Sequence, residues 1–413
     1  MKNILIIGAG SIGALMGASL VKAGLKVTFA GKPGSEYTKK LKENGLQLFY
    51  ANGERFWISP LHPRVEFVDT ATDLGKKFDI IIVAVKSNNL IKVVSYITAH
   101  STPDTILIHA QNGIPYWWFN NDRYLSTLNQ NLFEKLSSQR YLNTIDNLGI
   151  LHKNLGDRTV VGCVVKAPCQ RTEDGIIQVK KLPRIILGLT KNNNYSLKQQ
   201  AQIQSLCDLF TQHGIAATYT NKIRVAVYNK LVINITTNVL SALTGRVIAD
   251  LTANYYTNSL IKIIIAEVNH IFSYYGIKLE DLPTEQAIYA YIKAPGSQSH
   301  LPSLAQDFSQ HKAGEISLIT APVEMAQIAH LKVPTLFILS ELLQLCQTYS
   351  LRNHNGKSHI LSIDYAADNY NMLTANVCHS SIVDRWHISN LLAHLVQVNL
   401  STLSNQNNQI VVS

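Results

Sequence analysis

Asn3-Ile4-Leu5-Ile6-Ile7-Gly8-Ala9-Gly10-Ser11-Ile12-Gly13 opens the chain and decides its fold class. Ile4 to Ile7 predict a short buried strand. Leu15, Met16, Leu20 and Val21 predict a helix starting directly after the glycines. G-x-G-x-x-G by itself is a weak signal, and an ordinary tight strand-to-helix turn would also satisfy it. Set between a strand and a helix, the spacing marks a dinucleotide-binding turn. Gly8 would permit the tight turn, Gly10 would let a pyrophosphate approach the main chain, and Gly13 would allow the helix to pack close on the strand. Ala9, Ser11 and Ile12 complete the turn, and the unpaired N–H groups of the helix start would face the phosphates.

Strands and helices alternate outward from this turn. Lys26–Ala30 reads as the second strand, residues 36–44 as a polar helix, and short strand-like pieces follow near 46–49, 56–59 and 65–68. Asp79–Val85 is a continuous apolar run, as expected of a strand buried on both faces of a parallel sheet, and Thr105–His109 is another. Residues 114–158 read as a partly helical excursion rich in Asn and aromatics, in which Trp117 and Trp118 either cover a binding mouth or pack the excursion itself. Val160–Val165, Ile176–Val179 and Arg184–Leu189 read as strands closing the sheet, with Lys191–Asn194 as a linker. Helical patterns then run over about 196–213, 222–243, 257–275, 283–293, 315–331 and 336–350. The expected architecture is α/β: a Rossmann-type doubly wound sheet over residues 1–192, with the excursion at 115–157, then an all-helical domain over 193–350. Residues 351–413 form a C-terminal extension rich in Asn, Ser and His, with one expected helix near Trp386–Val398.

A chain of 413 residues, 46 % hydrophobic and 15 % charged, has the composition of a soluble globular protein with more than one domain. The net charge of +10 is spread along the chain, and its densest run, Lys39-Lys40-Leu41-Lys42, sits on a helix, so a nucleic-acid partner is not expected. Five cysteines without CxxC spacing predict buried thiols in a reducing compartment, and neither a disulfide framework nor a metal site. The opening apolar run is too short for a signal peptide, and no stretch reaches the length of a membrane span. A cytoplasmic protein with no membrane partner is the expectation.

The second strand ends Phe29-Ala30-Gly31-Lys32-Pro33. NAD-binding turns usually place a carboxylate here for the ribose 2′-hydroxyl. Its absence, with Lys32 next in line, favours a 2′-phosphate, hence NADPH/NADP+. Glu36 lies close by, and Lys32 could also be an ordinary solvated loop lysine. In the second half, Lys230, Asn234 and Asn238 recur every four residues within an apolar helix, so they share one face. That face meets either bulk water or a polar cavity, because burying such groups without partners is costly.

The glycine turn, Val85-Lys86-Ser87, Gln111-Asn112-Gly113-Ile114-Pro115, the Lys230/Asn234/Asn238 helix, and Ser303-Leu304-Ala305-Gln306-Asp307 followed by Glu315 occur in this order. The ordered set resembles the 2-dehydropantoate 2-reductase (ketopantoate reductase) family over about residues 1–350. The resemblance implies NADPH-dependent reduction of a small 2-keto acid, 2-dehydropantoate, to (R)-pantoate. It implies that Gly8, Ala9, Gly10, Ser11, Ile12, Gly13, Lys32 and Lys86 contact the cofactor, and that Asn112 sits beside both cofactor and substrate. Lys230 would be the general acid and Glu315 the catalytic carboxylate, while Asn234, Asn238 and Ser303 would contact substrate. Plainer roles stay open: Ser303 as a helix cap, Glu315 in a first helical turn, Lys86 as a helix-start lysine, His109 as a strand-end histidine. So do two rival functions. One is a reductase of another 2-keto acid or an opine-type imine; the other is a non-catalytic NADP(H)-sensing regulator. The stretch lacks the family's proline at Val239, and the extension from about Leu351 has no counterpart there. The extension could lengthen a homodimer contact, cover the cleft, or bind another protein.

Overall fold

The computed structural model describes residues 3–190, 197–294 and 296–353. The chain divides into two compact units. The first comprises Met1–Lys230 with Tyr275–Ile277, and the second Leu231–Tyr274 with the chain from Lys278 onward.

The first unit is built on an eight-stranded sheet. Its strands are β1 (Asn3–Ile7), β2 (Lys26–Gly31), β5 (Val65–Asp69), β6 (Ile80–Val83), β7 (Ile106–His109), β8 (Thr159–Lys166), β11 (Arg184–Leu189) and β12 (Ala216–Tyr219). They lie in the order β12-β11-β8-β7-β6-β1-β2-β5. All neighbours run parallel except β8 and β11. β1 lies between β2 and β6, so the chain leaves it on one side and returns on the other. That reversal is the switch point where sheets of this kind bind ligands, outside the carboxyl ends of the strands. β6 and β7 are buried on both faces, as their unbroken apolar runs require.

A second sheet in this unit, ordered β4-β3-β10-β9, holds β3 (Leu46–Tyr50), β4 (Arg55–Ile58), β9 (Cys169–Arg171) and β10 (Ile177–Val179). The sequence places Ile176–Val179 in the main sheet; the structure instead pairs β10 with β3. The reason lies in its burial pattern. Ile177 and Val179 are buried while Gln178 is not, which suits a sheet with one covered face and not the doubly covered main sheet.

The excursion contains the 3₁₀ turn Tyr116–Phe119 and the short helices Asp122–Leu125, Gln130–Ser138 and Ile150–Leu155. Trp117 and Trp118 are buried, so they pack the excursion. Both Asp146 carboxylate oxygens accept from the main chain, from Leu151 and His152, and tie down the last of these helices. Desolvation raises the Asp146 pKa and those two N–H groups oppose it.

The linker Lys191–Asn194 lies outside the described residues, and the two compact units divide at Lys230. Helix Leu197–Gln212 and strand β12 belong with the sheet, because β12 pairs with β11. β12 is partly exposed along its length and has no apolar run to announce it.

The second unit is helical: Ile248–Ala253, Tyr255–Tyr274, Glu285–Ile292, Ser303–Ser309, Ser317–Ile328 and Pro334–Asn353. The expected helix over 222–243 proves to be three segments. α-Helix Ile223–Asn234 leads into a π-helical turn, Ile235–Val239, then α-helix Leu240–Thr244. π turns are rare, and they cluster at functional sites. The Glu267 carboxylate accepts from the N–H groups of Thr335 and Leu336 and so caps helix Pro334–Asn353. Burial pushes the Glu267 pKa up, against those hydrogen bonds. The extension beyond 353, including the expected helix near Trp386–Val398, lies outside the described residues. No helix among the described residues is long and apolar enough to cross a membrane.

Candidate active site

The glycine turn closes at the carboxyl end of β1. Gly8 has φ +96°, in the left-handed region, and a side chain there would sit 2.8 Å from Val85. A Cβ at Gly13 would lie 2.1 Å from the Gly8 carbonyl oxygen. Both positions therefore require glycine. Gly10 differs: a Cβ there would meet nothing within 4 Å. The main chain is open on that side, and helix Ser11–Lys22 begins there with Gly10 as its cap residue, no side-chain cap and no acid in its first turn. Its first N–H groups can donate to an anion such as a phosphate. The turn therefore fits a dinucleotide's pyrophosphate.

At the end of β2, Gly31 lies against Thr38, whose Oγ1 would be 2.3 Å from an added Cβ. Thr38 donates to the Lys32 carbonyl and accepts or donates to Ser35, which caps helix Glu36–Asn44. A side chain at Gly31 is thus excluded by Thr38, and Lys32 is exposed just beyond it.

The carboxyl ends of β6 and β7 are joined by the Gln111 amide, which donates to the Val85 carbonyl at 3.0 Å. Lys86 follows, exposed, at the start of the 3₁₀ turn Ser87–Asn89. His109 ends β7 fully buried, with Nε2 3.3 Å from the Tyr116 hydroxyl, and burial pushes its pKa down to about 3. His109 pairs with Gly162 at the end of the β7–β8 ladder; Asn112 follows just beyond β7, and Val165 lies further along β8. Lys230 reaches both. Its Nζ donates to Asn112 Oδ1 at 2.5 Å and to the Val165 carbonyl at 2.6 Å.

The helix carrying Lys230 is anchored at its first turn. Arg224 is buried, and its guanidinium donates to the Trp118 carbonyl twice, at 2.9 and 2.7 Å, and to the Thr190 carbonyl at 3.1 Å. It also lies 4.3 Å from the centre of the Tyr124 ring. Gly162 and Gly188 admit Ile223 at close range. Sequence reasoning missed Arg224, Thr38 and the Val165 carbonyl. An arginine inside an apolar helix was a signal for the first; a main-chain acceptor leaves no sequence signal at all.

In the second unit, Asn238 is buried on the π turn, and its Oδ1 accepts from Thr237 Oγ1 at 3.2 Å. Asn234 is half-buried. Helix Ser303–Ser309 packs against the π turn, with Ser303 exposed as its first residue and Pro302 at the cap. Ser303 is therefore not the cap. Gly314 fits so closely against Leu304 that a Cβ would lie 2.2 Å from it, which brings the Glu315 segment beside this helix. Glu315 itself is half-buried and precedes helix Ser317–Ile328, so it is not in a first helical turn. Among the described residues, no group of His, Cys, Asp and Glu is placed to hold a metal ion.

The first unit thus presents a fixed amine at the carboxyl end of a sheet whose first turn has the geometry to fit phosphates. Comparison with known proteins gives this arrangement a family. Models described as ketopantoate reductase PanE/ApbA and its C-terminal domain match residues 4–116 and 222–347. The chain is 26 % identical over 339 residues to a 2-dehydropantoate 2-reductase of Mesorhizobium japonicum, covering 81 % of this chain and 94 % of the relative. Among solved structures, a ketopantoate reductase-type protein of Ralstonia solanacearum MolK2 matches with TM-score 0.71 and 25 % identity, covering 85 % of this chain and 99 % of that one. D-mandelate dehydrogenase, solved with NADH and anilino(oxo)acetate, shares the fold at TM-score 0.65 and 20 % identity, covering 84 % and 99 %. The chain belongs to the ketopantoate reductase family, oxidoreductases that act on CH–OH groups.

Proposed function

We propose that this protein reduces 2-dehydropantoate to (R)-pantoate with NADPH, a step toward pantothenate and coenzyme A. One observation carries the reading: the Lys230 amine is held by Asn112 Oδ1 and the Val165 carbonyl at the same sheet edge that bears the glycine turn. The nicotinamide cofactor, when bound, supplies the hydride. Gly8 to Gly13 take its pyrophosphate, and Lys86 and Asn112 lie on the adjoining strand ends. Lys32 takes the 2′-phosphate. The Gly31 position supports this preference, since Thr38 leaves no room there for the carboxylate that would favour a 2′-hydroxyl.

As the ketone is reduced, its oxygen gains negative charge. The Lys230 ammonium stabilises that charge and delivers the proton, and the two fixed acceptors keep Nζ from wandering. Asn234, Asn238 and Ser303 bind the keto acid, and Glu315 holds its hydroxyl. The deciding experiment follows NADPH oxidation across a small panel of 2-keto acids. The expected result is highest kcat/KM with 2-dehydropantoate. Higher kcat/KM with another keto acid would change the substrate, and cofactor binding without turnover on any of them would make the protein a sensor.

A further inference from the structure

One face of β8 leads from the start of the Lys230 helix to a pair of cations. Residues two apart on a strand share a face, and so do direct cross-strand partners. Gly162, Val164 and Lys166 therefore share a face with their β11 partners Gly188, Ile186 and Arg184. A Cβ on Gly162 would meet Ile223 at 2.6 Å, and one on Gly188 would meet it at 2.8 Å, so this face receives the first turn of the helix. Lys230 follows Ile223 by nearly two turns and looks to the same side, about 10 Å further on. Lys166 lies about 13 Å along β8 from Gly162. The two runs end together: Lys230 Nζ donates to the carbonyl of Val165, the residue bonded to Lys166.

Lys166 and Arg184 are both exposed, and they stand directly opposite each other in the antiparallel ladder. Like charges so placed destabilise a sheet. Desolvation lowers the Lys166 pKa, and the Arg184 charge lowers it further. The pairing thus costs the fold stability, and it lies beside the amine to which the reaction is assigned. Exposed Lys180 and Lys181 lead into Arg184 and add to the positive potential. Clustered charge of one sign raises the local concentration of a small counter-ion. Proton delivery uses Lys230 alone, which leaves Lys166 and Arg184 for recruitment.

We propose that Lys166 and Arg184 draw the substrate's carboxylate to the Lys230 amine and so select anionic keto acids over uncharged ketones. This rests on the reading of the protein as a keto-acid reductase, so one arm of its test needs no turnover. Oxamate, an unreactive 2-keto-acid mimic, and its uncharged methyl ester are titrated by calorimetry into the full-length protein with NADPH present. The parent is compared with the double variant Lys166→Gln/Arg184→Gln. At about 20 mM salt the variant's Kd for oxamate should rise about tenfold, shrinking to about twofold at about 0.5 M, while the ester binds both proteins alike. Equal oxamate affinity in both proteins, an equal loss for the ester, or no oxamate binding by the parent would overturn the proposal. The second arm is turnover of 2-dehydropantoate at the lower salt. KM should rise about tenfold in the variant with kcat within about twofold of the parent's. A fall in kcat at unchanged KM would make the pair a support for Lys230 and overturn its recruiting role. A parent without turnover would sink the reductase reading and leave the oxamate titration to decide the pair's role.

Discussion

The glycine turn and the lysine cradle stand at the same end of one sheet, but they are made in opposite ways. The turn is written in consecutive residues: Gly8, Gly10 and Gly13 are each explained by what a side chain would strike or leave open. The cradle joins Lys230 to Asn112 across 118 positions and to the Val165 carbonyl across 65. The first is a local device, shaped within six consecutive residues to fit a phosphate. The second exists only because the fold brings the end of β7, strand β8 and the anchored helix together at the Lys230 amine. On the proposed function, the two have separable roles: the turn would bind and the cradle would react.

Breaking the turn should have the largest effect on binding. Gly13→Val drives a side chain into the Gly8 carbonyl, 2.1 Å from the ideal Cβ. NADPH affinity, followed by fluorescence titration, should fall by about a hundredfold or more, since the loop must open to admit the side chain. Unchanged affinity would remove the turn from its role. Lys32→Ala probes which phosphate matters. It should weaken NADPH by roughly ten- to a hundredfold and leave NADH nearly unchanged, the worth of one charge-assisted contact. Equal losses for both would undo the 2′-phosphate argument.

The cradle can be sharpened through its supports. Arg224→Met removes the guanidinium's hydrogen bonds to the Trp118 and Thr190 carbonyls. Urea unfolding should report a loss of about 1–3 kcal/mol. A stability equal to the parent's would mean that the helix needs no such anchor. An effect confined to acid pH concerns His109, held neutral by burial with its pKa pushed down to about 3. Its unfolded pKa is about 6.5, so between the two values the unfolded chain binds the extra proton. The neutral form's stability is fully present above about pH 6.5 and is lost as pH falls toward 3. His109→Gln should flatten the slope of unfolding free energy between about pH 6 and 4 by about 1.4 kcal/mol per pH unit. An unaltered slope would mean that His109 does not titrate with unfolding.

How much could be read in advance follows the same division. β1, the glycine turn, helix Glu36–Asn44 and the buried runs of β6 and β7 are legible because burial on both faces, or a cap residue such as Ser35, leaves a local mark. β10 and β12 are not. Three residues with alternate burial fit either sheet, and a half-exposed edge strand has no apolar run. The π turn is hidden too, since Lys230, Asn234 and Asn238 share a face in any helix with nearly four residues per turn. The acceptors of Lys230 were half legible: Asn112 stood out beside a glycine after a strand, while the Val165 carbonyl became a partner only through the register of β8. Trp117 and Trp118 kept two readings open until burial chose packing.

The most direct test of the central claim measures turnover of 2-dehydropantoate and NADPH affinity side by side in the parent chain and in Lys230→Ala. If Lys230 is the proton donor, turnover falls by about 10²–10⁴ while NADPH affinity changes by less than about threefold. Turnover close to the parent's, or a loss of affinity as large as the loss of rate, would contradict it.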